Sequence, residues 1–120
     1  MFRYYSTQRP VAPGTFPGHP AAICNFDDRK EVSGVGLAWG YLDYKEQLDE
    51  GEMKAYELKA DSRVIQMVVT KGCGAKETRT ALQGVTLEDV CEAAELSVIR
   101  GYAVYAAVLV DGEVYTEMEA

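Results

Sequence analysis

The 120 residues predict an α+β fold: a mostly antiparallel sheet, two to three helices packed on one face of it, and a C-terminal β-hairpin. Three observations carry that expectation. Short runs rich in Tyr, Val, Ile and Trp are separated by Gly and Pro, which is the pattern of strands and turns. Thr86 to Gly101 places apolar residues at helical spacing between clear start and stop signals. Asp111-Gly112 lies between two apolar runs, a strong signal for a two-residue hairpin turn. The length fits one domain, 1–120, within which 1–60 and 61–120 can form subdomains. The first is β-rich with a long Pro-rich loop; the second reads β-α-α-β-β.

In chain order, Phe2-Arg3-Tyr4-Tyr5 suits a first strand. Ser6 to Pro20 contains all four prolines of the chain. Each proline lacks a ladder donor and turns its predecessor away from helix, so this stretch is an extended loop. A loop of that length is uncommon in a small domain and is often functional. Ala21 to Phe26 reads as a second strand closed by a turn at Asp27-Asp28, with a short third strand over Glu31-Val32. Leu37 to Tyr44 is apolar on both faces, which predicts a central strand. Asp49 is the N-cap of a short helix, Glu50 to Ala55. Glu52 sits three residues on, and Leu48 with Met53 form a hydrophobic staple. Tyr56 to Lys59 returns to extended structure.

In the second half, Arg63 to Thr70 is a β-branched strand bounded by Ser62 and Gly72. Ala75 to Gln83 reads as a modest helix ended by Gly84. Thr86 caps the main helix, with Asp89 at the third position. Leu87, Val90, Cys91, Ala94 and Val98 form its apolar stripe, and Gly101 stands just past its end. Tyr102 to Val110 and Glu113 to Met118 are the arms of the final hairpin. A strict two-residue turn pairs Leu109 with Val114, Ala107 with Thr116, Tyr105 with Met118 and Val108 with Tyr115.

Charge excludes more than it identifies. The chain has 12 basic and 19 acidic residues, net −7. Residues 1–60 hold 7 basic against 9 acidic, and residues 61–120 hold 5 against 10. No basic stripe is present to meet phosphates, so direct nucleic-acid binding is disfavoured. An apolar share of 48% excludes a disordered chain. No apolar run approaches a bilayer span and MFRYYSTQRP has no signal-peptide core, so a cytoplasmic protein away from the membrane is expected. Cys24, Cys73 and Cys91 are odd in number and widely spaced, which argues against a disulfide framework or a zinc ribbon. His19, between Gly18 and Pro20, is the only histidine. No metal and no cofactor are expected.

Few residues suggest catalysis. Gly72-Cys73-Gly74 falls between an expected strand and an expected helix, where free N–H groups can hold an anion or lower a thiol pKa. Cys73 is therefore the one nucleophile candidate, though no phosphate-loop spacing surrounds it. Thr86 to Ser97 has the cadence of a helix-turn-helix. Gly101 occupies a position where a recognition helix needs an apolar residue, and cations are scarce there, so one continuous helix is expected. Asp27, Asp28 and Glu31 lie beside Arg29 and Lys30 and lack a calcium-loop spacing. Glu46, Asp49, Glu50 and Glu52 are explained by capping and solvent.

The aromatics point elsewhere. Eight tyrosines outnumber three phenylalanines, and Tyr gives contact area with a polar tip, which suits interfaces. Tyr4, Arg9, Phe16, Trp39 and Tyr41, near the Pro-rich loop, are the candidate partner-binding set. The strings YYSTQRPVAPGTFP, NFDDR and AWGYLDY, followed by an acidic short helix leading to YEL, span residues 1–59. In these strings the chain resembles a group of small uncharacterised proteins of gut Firmicutes, often encoded on conjugative or other mobile elements. The resemblance implies a cytoplasmic mobile-element accessory protein and no mechanism. Residues and resemblance together favour a non-enzymatic protein acting through protein–protein contact, including a homodimer. Two alternatives stand beside it: an acidic anti-restriction or immunity-type inhibitor of a nucleic-acid-binding enzyme, and a small thiol enzyme using Cys73.

Overall fold

A computed structural model describes residues 1–120 in two compact units, Met1–Ser62 and Arg63–Ala120. The chain is α+β, with two antiparallel four-stranded sheets and two helices.

In the first unit, β1 (Phe2–Ser6), β2 (Ala22–Val32), β3 (Gly36–Tyr44) and β4 (Leu58–Lys59) form a sheet of order β2-β3-β1-β4. Leu37 to Tyr44 was expected to be central, and β3 does lie between β1 and β2. The expected turn at Asp27-Asp28 and separate strand at Glu31-Val32 are corrected: β2 is one long, bulged strand. Asn25 pairs with Gly40 and the ladder resumes at Lys30 with Ala38, so Phe26 to Arg29 lie opposite Trp39 alone. The bulge accommodates the extra residues and bends the strand without ending its pairing. There the two backbones come so close that a Cβ on Gly40 would sit 2.2 Å from the Cys24 carbonyl oxygen. Only glycine fits.

One face of this sheet carries the core. Tyr4, Leu42 and Tyr44 are buried there with Leu48, Met53 and Leu58. The helix α1 (Glu50–Ala55) starts as expected: Asp49 Oδ1 accepts from the Glu52 amide at 2.7 Å. The Pro-rich loop closes over the same core and is ordered by named bonds. The Asn25 side chain accepts from the Val11 amide and donates to the Val11 carbonyl, both at 2.9 Å. One amide side chain thus imitates a strand partner. Tyr44 donates its hydroxyl hydrogen to the Pro17 carbonyl at 2.6 Å, and Val11 itself is buried. Tyr4 accepts from the Leu48 amide at 2.9 Å, tying β1 to the segment that enters α1.

The second unit contains β5 (Ile65–Thr70), β6 (Lys76–Thr80), α2 (Leu87–Ile99), β7 (Tyr105–Val110) and β8 (Glu113–Glu119), with sheet order β6-β5-β7-β8. The helix expected over Ala75 to Gln83 is corrected to β6. Gly74, at φ +85°, turns the chain tightly, and Lys71 and Ala75 close the turn through a 2.8 Å backbone bond. The segment then pairs with β5 from Lys76 to Thr80. Long-range pairing with an available edge outweighs the helix preference of Ala, Lys and Glu, and the two threonines suit it.

The helix α2 packs across β5, β7 and β8 on the stripe expected of it. Val90 and Ala94 are buried, with Leu87, Cys91 and Val98 beside Ile65, Met67, Val69, Ala106 and Val108. Thr86 Oγ1 accepts from the Asp89 amide at 3.2 Å, and Gly101 turns the chain out at φ +75°. The helix-turn-helix cadence is one continuous helix followed by a strand.

Asp111 and Gly112, both at positive φ, make the expected turn. Beyond Leu109–Val114 the expected register is corrected. Tyr115 is an extra residue, so Val108 faces Thr116, Ala106 faces Met118 and Tyr105 faces Glu119. The bulge exchanges the faces of the last residues and puts Met118 against the core beside Ala106 and Val108. No helix is long and apolar enough to cross a membrane.

Candidate functional site

The five residues expected to share a partner surface do not lie together. Alternation along β1 sends Tyr4 inward and leaves it fully buried, a correction to its place in an exposed surface. Phe16 packs against the same core from the Pro-rich loop. Arg9 is exposed on that loop, and its guanidinium donates to Glu57 Oε1 at 2.5 Å. Glu57 leaves α1 at φ +54°, an uncommon conformation for a side-chain-bearing residue. Trp39 and Tyr41, separated by one residue on β3, both point to the opposite side of the sheet from Leu42.

That second side is a half-exposed layer of rings and cations contributed by three strands. Arg3 and Tyr5 of β1 face it, as do Cys24 and Phe26 of β2. The Arg3 guanidinium lies 3.8 Å from the centre of the Tyr41 ring, and Tyr5 and Phe26 meet Tyr41 from either side at 6.0 and 6.1 Å. Arg29 lies 5.5 Å from the Trp39 ring and Lys30 5.0 Å from that of Phe26.

Asp43 anchors the layer. Arg3 donates to its two carboxylate oxygens at 2.8 and 3.0 Å, a bidentate pair in partly buried surroundings. Those hydrogen bonds hold the guanidinium proton more firmly than usual. Partial burial pushes the Tyr41 phenol up, while the Arg3 charge pulls it back. The ring is thus held between a fixed cation and two aromatic edges. Such a surface offers Tyr, Trp and Arg, the residue types that most often dominate protein interfaces.

Sequence reasoning named Trp39 and Tyr41 and missed Arg3, Phe26 and Arg29. The signal was alternation: once β3 is paired with β1, Arg3 and Tyr5 must share the face of Tyr41.

A groove lies elsewhere in the same unit, with a volume of about 740 Å³, between the end of the Pro-rich loop and the segment after β3. Pro17, Pro20, Tyr44 and Leu48 line it, with Glu46 and Glu52; His19 and Lys45 also border it. Burial, and next the Glu52 charge, push the Tyr44 phenol up to about 12.

Cys73 occupies the exposed turn between β5 and β6. The helix start expected to activate it is a strand, so no helix N-terminus stands beside the thiol to activate it as a nucleophile. Burial raises the thiol of Cys91, on the core side of α2. No group of three or more His, Cys, Asp or Glu is arranged to hold a metal ion.

Comparison with known proteins adds one finding. No curated protein and no solved structure matches the chain. A family model does, over residues 1–63, which is the first unit and one residue more. Its description concerns defence against restriction. The chain belongs to the family DarA_C, described as Defence against restriction A C-terminal.

Proposed function

We propose that this chain is a non-catalytic accessory protein of a mobile element that protects incoming DNA from restriction. It works in the cytoplasm by contacting another protein through the aromatic layer of its first unit. The observation that carries this reading is coincidence: the family match spans the unit that presents Arg3, Tyr5, Trp39 and Tyr41 on one half-exposed sheet face. Aromatic rings pre-set by a bidentate Arg–Asp pair lose little freedom on contact, so binding costs less.

The test is establishment of unmodified DNA in a restricting and a non-restricting host, with and without the protein. Wild type is expected to raise establishment only in the restricting host. Trp39→Ala together with Tyr41→Ala should return it to the level without protein while leaving the circular-dichroism spectrum and melting of the second unit intact. Equal establishment in both hosts with and without wild type overturns the reading.

A second reading keeps the anti-restriction role but makes the chain an acidic inhibitor of a nucleic-acid-binding enzyme. The run of Glu46, Asp49, Glu50 and Glu52 beside the groove favours it. Binding to the restriction enzyme that weakens steeply with salt supports this reading, and salt-independent binding excludes it.

A further inference from the structure

The groove is separate from the aromatic layer, and its walls are stiff. Pro17 and Pro20 have restricted backbones, and the Tyr44 ring is fixed by its hydroxyl bond to the Pro17 carbonyl. Leu48 is buried behind it, and Met53 anchors α1, which carries Glu52. The lining therefore combines an apolar wall of Tyr, Pro and Leu with two carboxylates. The acidic and basic chains facing this space are Glu46, Glu52 and Lys45, with His19 bordering it, so carboxylates outnumber the lysine. The rise in the Tyr44 phenol, caused in part by Glu52, shows that this carboxylate acts on the aromatic wall.

A ligand matched to such walls has an apolar stem and a cationic head. Arginine fits both parts: its methylenes lie along apolar surface, and its planar guanidinium stacks on a ring and donates to carboxylates. We infer that the groove between Pro17–Ala21 and Tyr44–Leu48 receives an arginine side chain of a protein partner, held by Glu46 and Glu52. This rests on the reading of the chain as a protein-binding module and adds a second point of attachment. A basic DNA-handling enzyme offers such side chains in quantity, and the net charge of −7 attracts them at a distance.

The test uses the full chain, isotope-labelled, and the peptide acetyl-Gly-Arg-Gly-amide, followed by amide NMR shifts. Its citrulline counterpart keeps the shape without the charge, and spermidine supplies charge without the planar head. Saturating shifts at Gly18, Ala21, Gln47 and Leu48 with the arginine peptide, absent with citrulline, are expected. Glu52→Gln should weaken that binding roughly two- to fivefold, and Glu46→Gln with Glu52→Gln more, as for partly exposed ion pairs. Unchanged amide spectra elsewhere show that the variants remain folded.

No shifts, equal shifts with citrulline, or undiminished binding by the double variant overturns the inference. Tighter binding of spermidine overturns the protein side chain as its source. Failure here leaves the protection assay with Trp39 and Tyr41 variants untouched, so the two ideas fail separately.

Discussion

The two units solve the same problem with different materials. Each has a four-stranded antiparallel sheet with one face to cover. The second covers it with α2, an amphipathic helix laid on Ile65, Met67, Val69, Ala106 and Val108. The first has only a one-and-a-half-turn helix and relies on the Pro-rich loop, pinned by side-chain hydrogen bonds from Asn25 and Tyr44. Regular covering needs a repeating pattern, which is visible along the chain. Irregular covering needs individual contacts between residues far apart, and those contacts are what place a groove in the first unit.

The comparison breaks most sharply at Gly40. Replacing it with Ala drives a methyl group into the Cys24 carbonyl, and backbone on both sides limits relief. The first unit should lose about 3 kcal/mol or more, beyond ordinary overpacking. Chemical denaturation followed by Trp39 fluorescence checks it, since this is the chain's one tryptophan. Unchanged stability would mean that the bulge in β2 yields.

Tyr44 gives the next largest effect. Its folded phenol titrates near 12 against about 10 when unfolded, so its contribution is whole below pH 10 and fades as pH rises through 12. The loss reaches about 2–3 kcal/mol. Tyr44→Phe should flatten that alkaline decline, read by denaturation midpoints from pH 9 to 12. The second unit has the simpler core, and Val108→Ala should cost about 2 kcal/mol there, from lost methyl burial and a small cavity. Hydrogen exchange of β5 and β7 amides is the readout. Thr86→Ala should be mildest, about 1 kcal/mol, by removing the cap from the Asp89 amide.

How much of this was legible follows the same division. Both caps, the central place of β3 and the Asp111-Gly112 turn were readable because each depends on neighbours along the chain. Lys76 to Thr80 misled because Ala75, Lys76 and Glu77 favour helix locally, while the deciding partner, β5, is supplied by the fold. The extra residue at Tyr115 was invisible because only the demand for Met118 in the core reveals it. At the candidate site, composition could not tell Tyr4 from Tyr5. Adjacent residues of a strand face opposite ways, so one became core and the other surface. Arg3 was overlooked because its partner, Asp43, lies forty residues away.

The bond pair between Asn25 and Val11 has one more consequence. By fastening the excursion from Thr7 to Ala21 at an interior point, it turns a single long span into two short ones that close independently. Closure entropy grows slowly with length, so residues inserted on the far side of the fastening add little cost and leave the near side in register. Variation beyond Val11 can therefore reshape the loop that ends in the groove wall, Pro17 to Ala21, while the strands beneath keep their pairing.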